Sequence, residues 1–146
     1  MKKITLALFL LTLPFLGFTQ ITNGTFDTTV TGWGGMTGGD ISWNSDQSLK
    51  LVALANKRAQ SNPNAVPDEG AGNYILSFKV KGAVGAIVKG IIFQGSQSGG
   101  ANYTILVDNE WETYTHTFTG VGADVAMNIR LHAVTAGTFY FDDVTF

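Results

Sequence analysis

The residues of this 146-residue chain best placed to hold a ligand are Asn128, Arg130 and His132, which alternate with Met127, Ile129, Leu131 and Ala133. Successive side chains of an extended strand point to opposite faces, so the apolar set should face a core and the three polar groups the other side. An arginine held there offers a planar fork of donors suited to vicinal hydroxyls or a carboxylate. Arg58 and Gln60 on an earlier strand, with Gln94 and Gln97 at the end of another strand and in the turn after it, are expected to join them. Apolar faces of a ligand dock on aromatic rings, while its hydroxyl groups need polar partners fixed in position. Trp43 and Tyr103 are the expected stacking platforms, although Tyr103 shares the parity of the core-like Ile105 and Val107.

Catalytic constellations are scarcer. Glu110 and Glu112 sit beside each other near a turn, whereas glycosidase carboxylates must stand across a cleft. No Gly-x-Ser-x-Gly elbow occurs, and the glycine-rich stretch 95–100 precedes a strand rather than a helix, which argues against a phosphate cradle. His116 and His132 are the only histidines and lie on different strands, so imidazoles alone cannot form a metal triad. The absence of cysteine excludes thiol catalysis, disulfides and thiolate metal sites. One enzymatic alternative is a polysaccharide lyase with Tyr103 as base, His132 as neutraliser and Arg130 as clamp.

These residues must be positioned by strands. No window sustains helical apolar spacing, and the chain is rich in Gly, Thr, Val, Ile and aromatics. Tyr74, Leu76, Phe78 and Val80 alternate with Ile75, Ser77, Lys79 and Lys81; Tyr103, Ile105 and Val107 mark another strand. Further strands are expected over 48–54, 86–94, 111–119 and 138–146, with breaks at 32–39, 61–72, 82–85, 95–100, 108–110 and 120–124. About nine or ten short strands at this spacing predict an all-β, two-sheet antiparallel β-sandwich of the jelly-roll kind. Trp33, Tyr74, Trp111 and Phe118 are expected in its core, and Lys57 and Arg58 at a solvated strand end.

Residues 1–19 read as a signal peptide: Lys2 and Lys3, an apolar run from Ile4 to Phe18, then small residues before Gln20. The run is short of the roughly 20 apolar residues of a spanning helix. Residues 20–146 then form one exported β-sandwich domain, expected to be monomeric, free of the membrane after cleavage, and secreted or held at the cell surface of a Gram-negative bacterium. Its last strand is expected to be integral to the fold, with no catalytic domain appended. The full chain has 9 basic and 11 acidic side chains; without Lys2 and Lys3 the balance is 7 to 11, near −4. Nucleic acid, which needs a clustered basic surface, is not an expected partner.

The ends of the domain carry a resemblance. Ile21-Thr22-Asn23-Gly24-Thr25-Phe26-Asp27 followed by Gly32-Trp33 resembles the opening of carbohydrate-binding modules of the family 4, 9 and 22 type, within the galactose-binding-domain-like jelly rolls. Ser48-Leu49-Lys50-Leu51, the 74–81 strand, Glu110-Trp111-Glu112-Thr113-Tyr114 with Phe118-Thr119, and the closing Gly137-Thr138-Phe139-Tyr140-Phe141-Asp142-Asp143-Val144 follow in that family's order. The resemblance covers nearly the whole mature chain. It implies a non-catalytic module that binds a polysaccharide or oligosaccharide, often beside a glycoside hydrolase, with a structural calcium ion. The family places that ion where the first and last strands meet, which corresponds here to Gly24, Asp27, Asp46, Ser48 and Asp142. A hard cation of this kind takes six to eight oxygen ligands. A polar strand end is the other reading of Asp142 and Asp143.

The competing non-enzymatic function is an adhesion or matrix module that uses the same fold to bind protein. A groove lined by aromatics and amides favours sugar, whereas a broad flat apolar patch favours protein.

Overall fold

The structure is a computed structural model that describes residues 21–36, 38–62, 71–94, 96–121 and 127–146. Residues 1–20, which include the segment read as a signal peptide, and most of the 61–72 and 120–124 breaks lie outside the described residues. Eleven strands are described: β1 (Trp33–Met36), β2 (Asp40–Asn44), β3 (Ser48–Ala53), β4 (Lys57–Ser61), β5 (Gly72–Lys81), β6 (Ile87–Gln94), β7 (Ser96–Gly99), β8 (Tyr103–Thr104), β9 (Glu112–Val121), β10 (Asn128–Ala133) and β11 (Gly137–Thr145). They form two antiparallel sheets. One has the order β1-β4-β10-β6-β7 with β8 also paired to β6, and the other the order β2-β3-β11-β5-β9. This is the expected all-β sandwich. No described helix is long and apolar enough to cross a membrane.

The alternation on β5 and β10 sets the inner faces. Leu76, Phe78 and Val80 from one sheet meet Ile129, Leu131 and Ala133 from the other, all buried. Phe78 stacks on Tyr114 at 4.5 Å between centroids and meets Phe141 edge-on at 5.6 Å, so three strands of one sheet are tied through a single ring. Burying side chains of this size stabilises by roughly 1.5–3 kcal/mol each, which lets a sandwich without cysteine hold together.

Several sequence expectations are corrected. The stretch 32–39 is not simply a break, because it contains β1. A Cβ on Gly35 would lie 1.9 Å from the carbonyl oxygen of Gly39, in the turn before β2, so the glycine permits a close backbone approach within the strand as well as marking the turn after it. The expected 103–107 strand is reduced to β8, since the Leu106 and Val107 N–H groups donate to Glu112 Oε1, at 2.8 Å each, in place of a ladder. The opening segment 21–32 is a series of turns rather than a strand. It reaches the last strand through the Val144 N–H, which donates to the Gly24 carbonyl at 2.9 Å.

Trp33 and Phe118 are buried as expected, and Tyr74 is half-buried and stacked on Phe146 at 4.9 Å. Trp111 is not a core residue: it is 37% exposed, with the Lys81 ammonium 4.7 Å above its ring. It has the outward parity of Thr113 and Thr115, one residue out of phase with the buried Tyr114.

Candidate functional site

The register of three adjacent strands builds one polar face. Arg130 lies opposite Gln60 on β4 and Ile91 on β6; His132 lies opposite Arg58 and Lys89; Asn128 lies opposite Phe93. Directly opposed residues share a face, so all of these turn away from the core that Ala59, Val88, Ile92, Ile129 and Leu131 form on the other side. The structure therefore brings Asn128, Arg130, His132, Arg58 and Gln60 together.

The face is neither a wet surface nor a satisfied core. Asn128, Arg130 and His132 are 5%, 6% and 7% exposed, a depth unusual for these residue types. Arg130 Nε donates to Gln60 Oε1 at 2.6 Å, and its guanidinium lies 3.8 Å above the Phe93 ring. Beside it, Arg58 Nε, Asn128 Oδ1 and both ring nitrogens of His132 are buried without a hydrogen-bond partner. Burial, followed by the charges of Lys89, Arg58 and Arg130, pushes His132 below its ordinary value of 6.5. The Asn56 carbonyl is close enough to oppose that shift, though not in hydrogen-bonding geometry. Burial and the Arg58 charge likewise lower Arg130. At neutral pH His132 is thus an uncharged ring offering one donor and one acceptor.

Sequence reasoning missed the β6 contribution. Lys89, Ile91 and Phe93 lie on this face, and Ile91 is fully buried outside the main core. Their parity was readable in principle from Val88, Gly90 and Ile92, but in Ile-Val-Lys-Gly-Ile-Ile-Phe-Gln both faces carry apolar residues and the alternation vanishes.

The remaining candidates lie elsewhere. Tyr103 is opposite Val88 and turns inward; its hydroxyl donates to Glu112 Oε2 at 2.6 Å, and this bond, with burial, pushes it up to about 12. It is therefore on the other side of the sheet from Arg130 and His132, and the three residues of a lyase do not meet. Trp43 is at the edge of the second sheet, opposite Leu49, with its indole N–H on the Phe26 carbonyl at 2.8 Å. Gln94 and Gln97 lie on β6 and β7, with Gln97 in register with Phe93, but their side chains lie outside the described residues. Burial acts to raise the Glu112 carboxyl, yet bonds from Tyr103, Val107 and Leu106 hold it below its ordinary value. Glu112 is a brace for the loop above it, without the raised affinity for a proton that a glycosidase acid requires.

The fold matches known structures. One match is the family 22 module joined to a glycoside hydrolase family 10 module in xylanase 10B of Clostridium thermocellum, complexed with xylohexaose, at a TM-score of 0.71 and 16% identity. The match covers 88% of this chain and 28% of that one, so the chain spans less than a third of the xylanase structure. The family 22 xylan-binding domain of Paenibacillus barcinonensis xylanase 10C follows at 0.62 and 15% identity, covering 84% of this chain and 89% of that one. The N-terminal cellulose-binding domain of Cellulomonas fimi glucanase C stands at 0.59 and 20%, covering 87% and 95%. The chain has the jelly-roll fold of carbohydrate-binding modules. No family model matches the sequence, and no curated protein matches it.

The carbohydrate-binding-module fold directs attention to the corner where calcium was expected. Burial raises Asp142 above the usual carboxylate range, and the charges of Asp143 and Asp27 add to this. Asp46 behaves differently. It pairs with Lys81 Nζ at 2.8 Å and accepts from Asn44 and Ser48; these bonds outweigh burial and lower it from 3.8 to about 2. Gly24 gives its carbonyl to Val144. Among the described residues no three acidic or histidine side chains are gathered to hold a metal.

Proposed function

We propose that this chain is a non-catalytic carbohydrate-binding module whose ligand lies across the outer face of β4, β10 and β6. The observation that carries the reading is the cluster of buried, partnerless polar atoms on Arg58, Asn128 and His132. A buried polar group left unpaired costs about 1–3 kcal/mol, so a fold retains several side by side where a ligand supplies the partners. Sugar hydroxyls both donate and accept, which suits an amide oxygen, a guanidinium N–H and a neutral imidazole at once. Phe93, with Arg130 over its ring, supplies the apolar floor. Residues 1–19 direct export in this reading, and the exported domain serves at the cell surface or in the medium, alone or beside a glycoside hydrolase.

Titration calorimetry with neutral and acidic polysaccharide fragments tests the proposal. Arg130→Ala should weaken binding about tenfold or more, the equivalent of about 1.4 kcal/mol. Unchanged affinity in folded Arg130→Ala and His132→Ala proteins refutes the placement of the site.

Calcium at the Gly24, Asp27 and Asp142 corner is a separate proposal, favoured by the burial that raises Asp142, to which the charges of Asp143 and Asp27 add against the opposing Lys79. Asp46 and Ser48 would join only if Asp46 left Lys81. Calcium added to chelator-treated protein should raise the melting temperature, and Asp142→Ala should abolish the rise. No shift at saturating calcium refutes it.

A further inference from the structure

Three of the four sheet edges are short. β1 and β7 have four residues each and β2 has five, with the acidic Asp40 among them. β9 differs: it ends the order of its sheet, runs for ten residues, and among the described strands pairs only with β5. An edge strand offers a row of N–H and C=O groups that another chain can extend, and proteins that stay apart blunt such edges with lysine, proline or a bulge. Between Thr113 and Thr119, β9 has none of these. The segment contains no Asp, Glu, Lys, Arg or Pro, and its pairing with β5 runs without a register shift from Glu112 to Phe118.

The order of residues along that edge is symmetric about His116. Thr113-Tyr114-Thr115-His116-Thr117-Phe118-Thr119 matches Thr115 with Thr117, Tyr114 with Phe118, and Thr113 with Thr119. Antiparallel strands related by a twofold axis through His116 therefore place each residue opposite its like. We propose that two copies of this chain pair β9 to β9 about that axis, joining two five-stranded sheets into one of ten strands. The threonines are exposed, and Thr–Thr pairs across antiparallel strands are favourable. Tyr114 and Phe118 are buried within their own domain, so backbone hydrogen bonds and the threonine rows carry the contact. Such an interface is isologous, and its modest extent suits a reversible dimer rather than an obligate one. Because directly opposed residues share a face, the axis stands perpendicular to the joined sheet. Both copies then hold their β1-β4-β10-β6-β7 sheets on the same side. The pairing rests on β9 alone; its consequence for binding rests on the carbohydrate reading above, under which the two glycan faces point the same way and a single polysaccharide can engage both.

Sedimentation velocity without any glycan, on the protein in the form its cells yield, tests the pairing. The parent should shift from monomer to dimer as its concentration rises from about 1 to about 500 μM. Thr115→Lys with Thr117→Lys, both at exposed positions, sets lysine opposite lysine twice in the dimer and should weaken association at least about tenfold. Thr115→Lys with Thr117→Glu puts long side chains at the same two positions but sets each lysine opposite a glutamate of the other copy, and should restore the dimer. Residues 1–19 are common to all three proteins, so association through them would appear equally in each. A parent that stays monomeric throughout, or equal association in the lysine–lysine and lysine–glutamate variants, overturns the inference, and neither outcome bears on glycan binding.

Discussion

His132→Leu separates the cost of the polar face from its use. Leucine is close to histidine in volume and has no polar atom, so it should fill the site without a hole. His132 is 7% exposed and neither ring nitrogen has a partner. An unsatisfied buried donor or acceptor costs about 1–3 kcal/mol. Replacing the ring should stabilise the free protein by about 1–3 kcal/mol, toward the lower end because the imidazole also packs between Arg58 and Lys89. For a domain of this size that is a rise in melting temperature of roughly 3–10 °C. The same change removes a hydrogen-bonding partner of the ligand and should weaken glycan binding about tenfold. Thermal unfolding followed by circular dichroism, paired with calorimetry on the same preparation, reads both effects. A variant that is less stable yet binds as well as the parent refutes the reasoning, because His132 would then be an ordinary satisfied core residue.

The remaining predictions follow from the same structure. Because burial and three neighbouring cations lower His132, the folded protein takes up its proton less readily than the unfolded chain. This titration therefore costs the fold nothing above the ordinary value of 6.5 and lowers its stability as pH falls below it; His132→Leu should flatten that part of the profile. Asp46 is lowered from 3.8 to about 2, so its pairing with Lys81 stabilises above pH 3.8 and fades as pH falls toward 2. With 36% of its side chain exposed, Asp46→Asn should cost only about 1 kcal/mol at neutral pH in denaturant unfolding. Gly90→Ala would set a Cβ 2.4 Å from Leu76 Cδ2 and 3.1 Å from Tyr114, and should destabilise by about 1–3 kcal/mol in the same assay. Trp43→Phe deletes the bond to the Phe26 carbonyl, costing about 1 kcal/mol while leaving glycan affinity unchanged.

Where one face of a strand is apolar and the other is not, the sequence already contained the answer. β5, β10 and β11 were legible because Leu76, Phe78 and Val80, or Ile129 and Leu131, recur every second residue among polar neighbours. β1, β2 and β7 were not. They are short, and β1 and β7 carry the glycines and serines that also make turns, so local chemistry could not separate a strand with close neighbours from a loop. Trp111 shows a related failure, since its place in the family-like block 110–114 suggested a core residue while its parity is one residue out of phase with the buried Tyr114.

The site was half legible for the same reason. Asn128, Arg130 and His132 were visible because three polar residues interrupt an apolar series, and Arg58 and Gln60 joined them through a register that cross-strand pairing supplied. Their burial was not visible, because depth depends on the strands on either side rather than on the strand itself. That depth gives the face its chemical character. On an open strand Arg58, Lys89 and Arg130 would be hydrated and nearly indifferent to one another, since water screens charges at this separation. Packed between β4 and β6, the cations act on each other and on His132, and the amide and imidazole atoms lose water without gaining protein partners. A ligand that meets these groups need not reorganise them, because the ordering was completed when the sandwich folded. In the proposed reading, burial of the polar row lowers the stability of the free domain and raises the selectivity of the bound one, two consequences of a single placement.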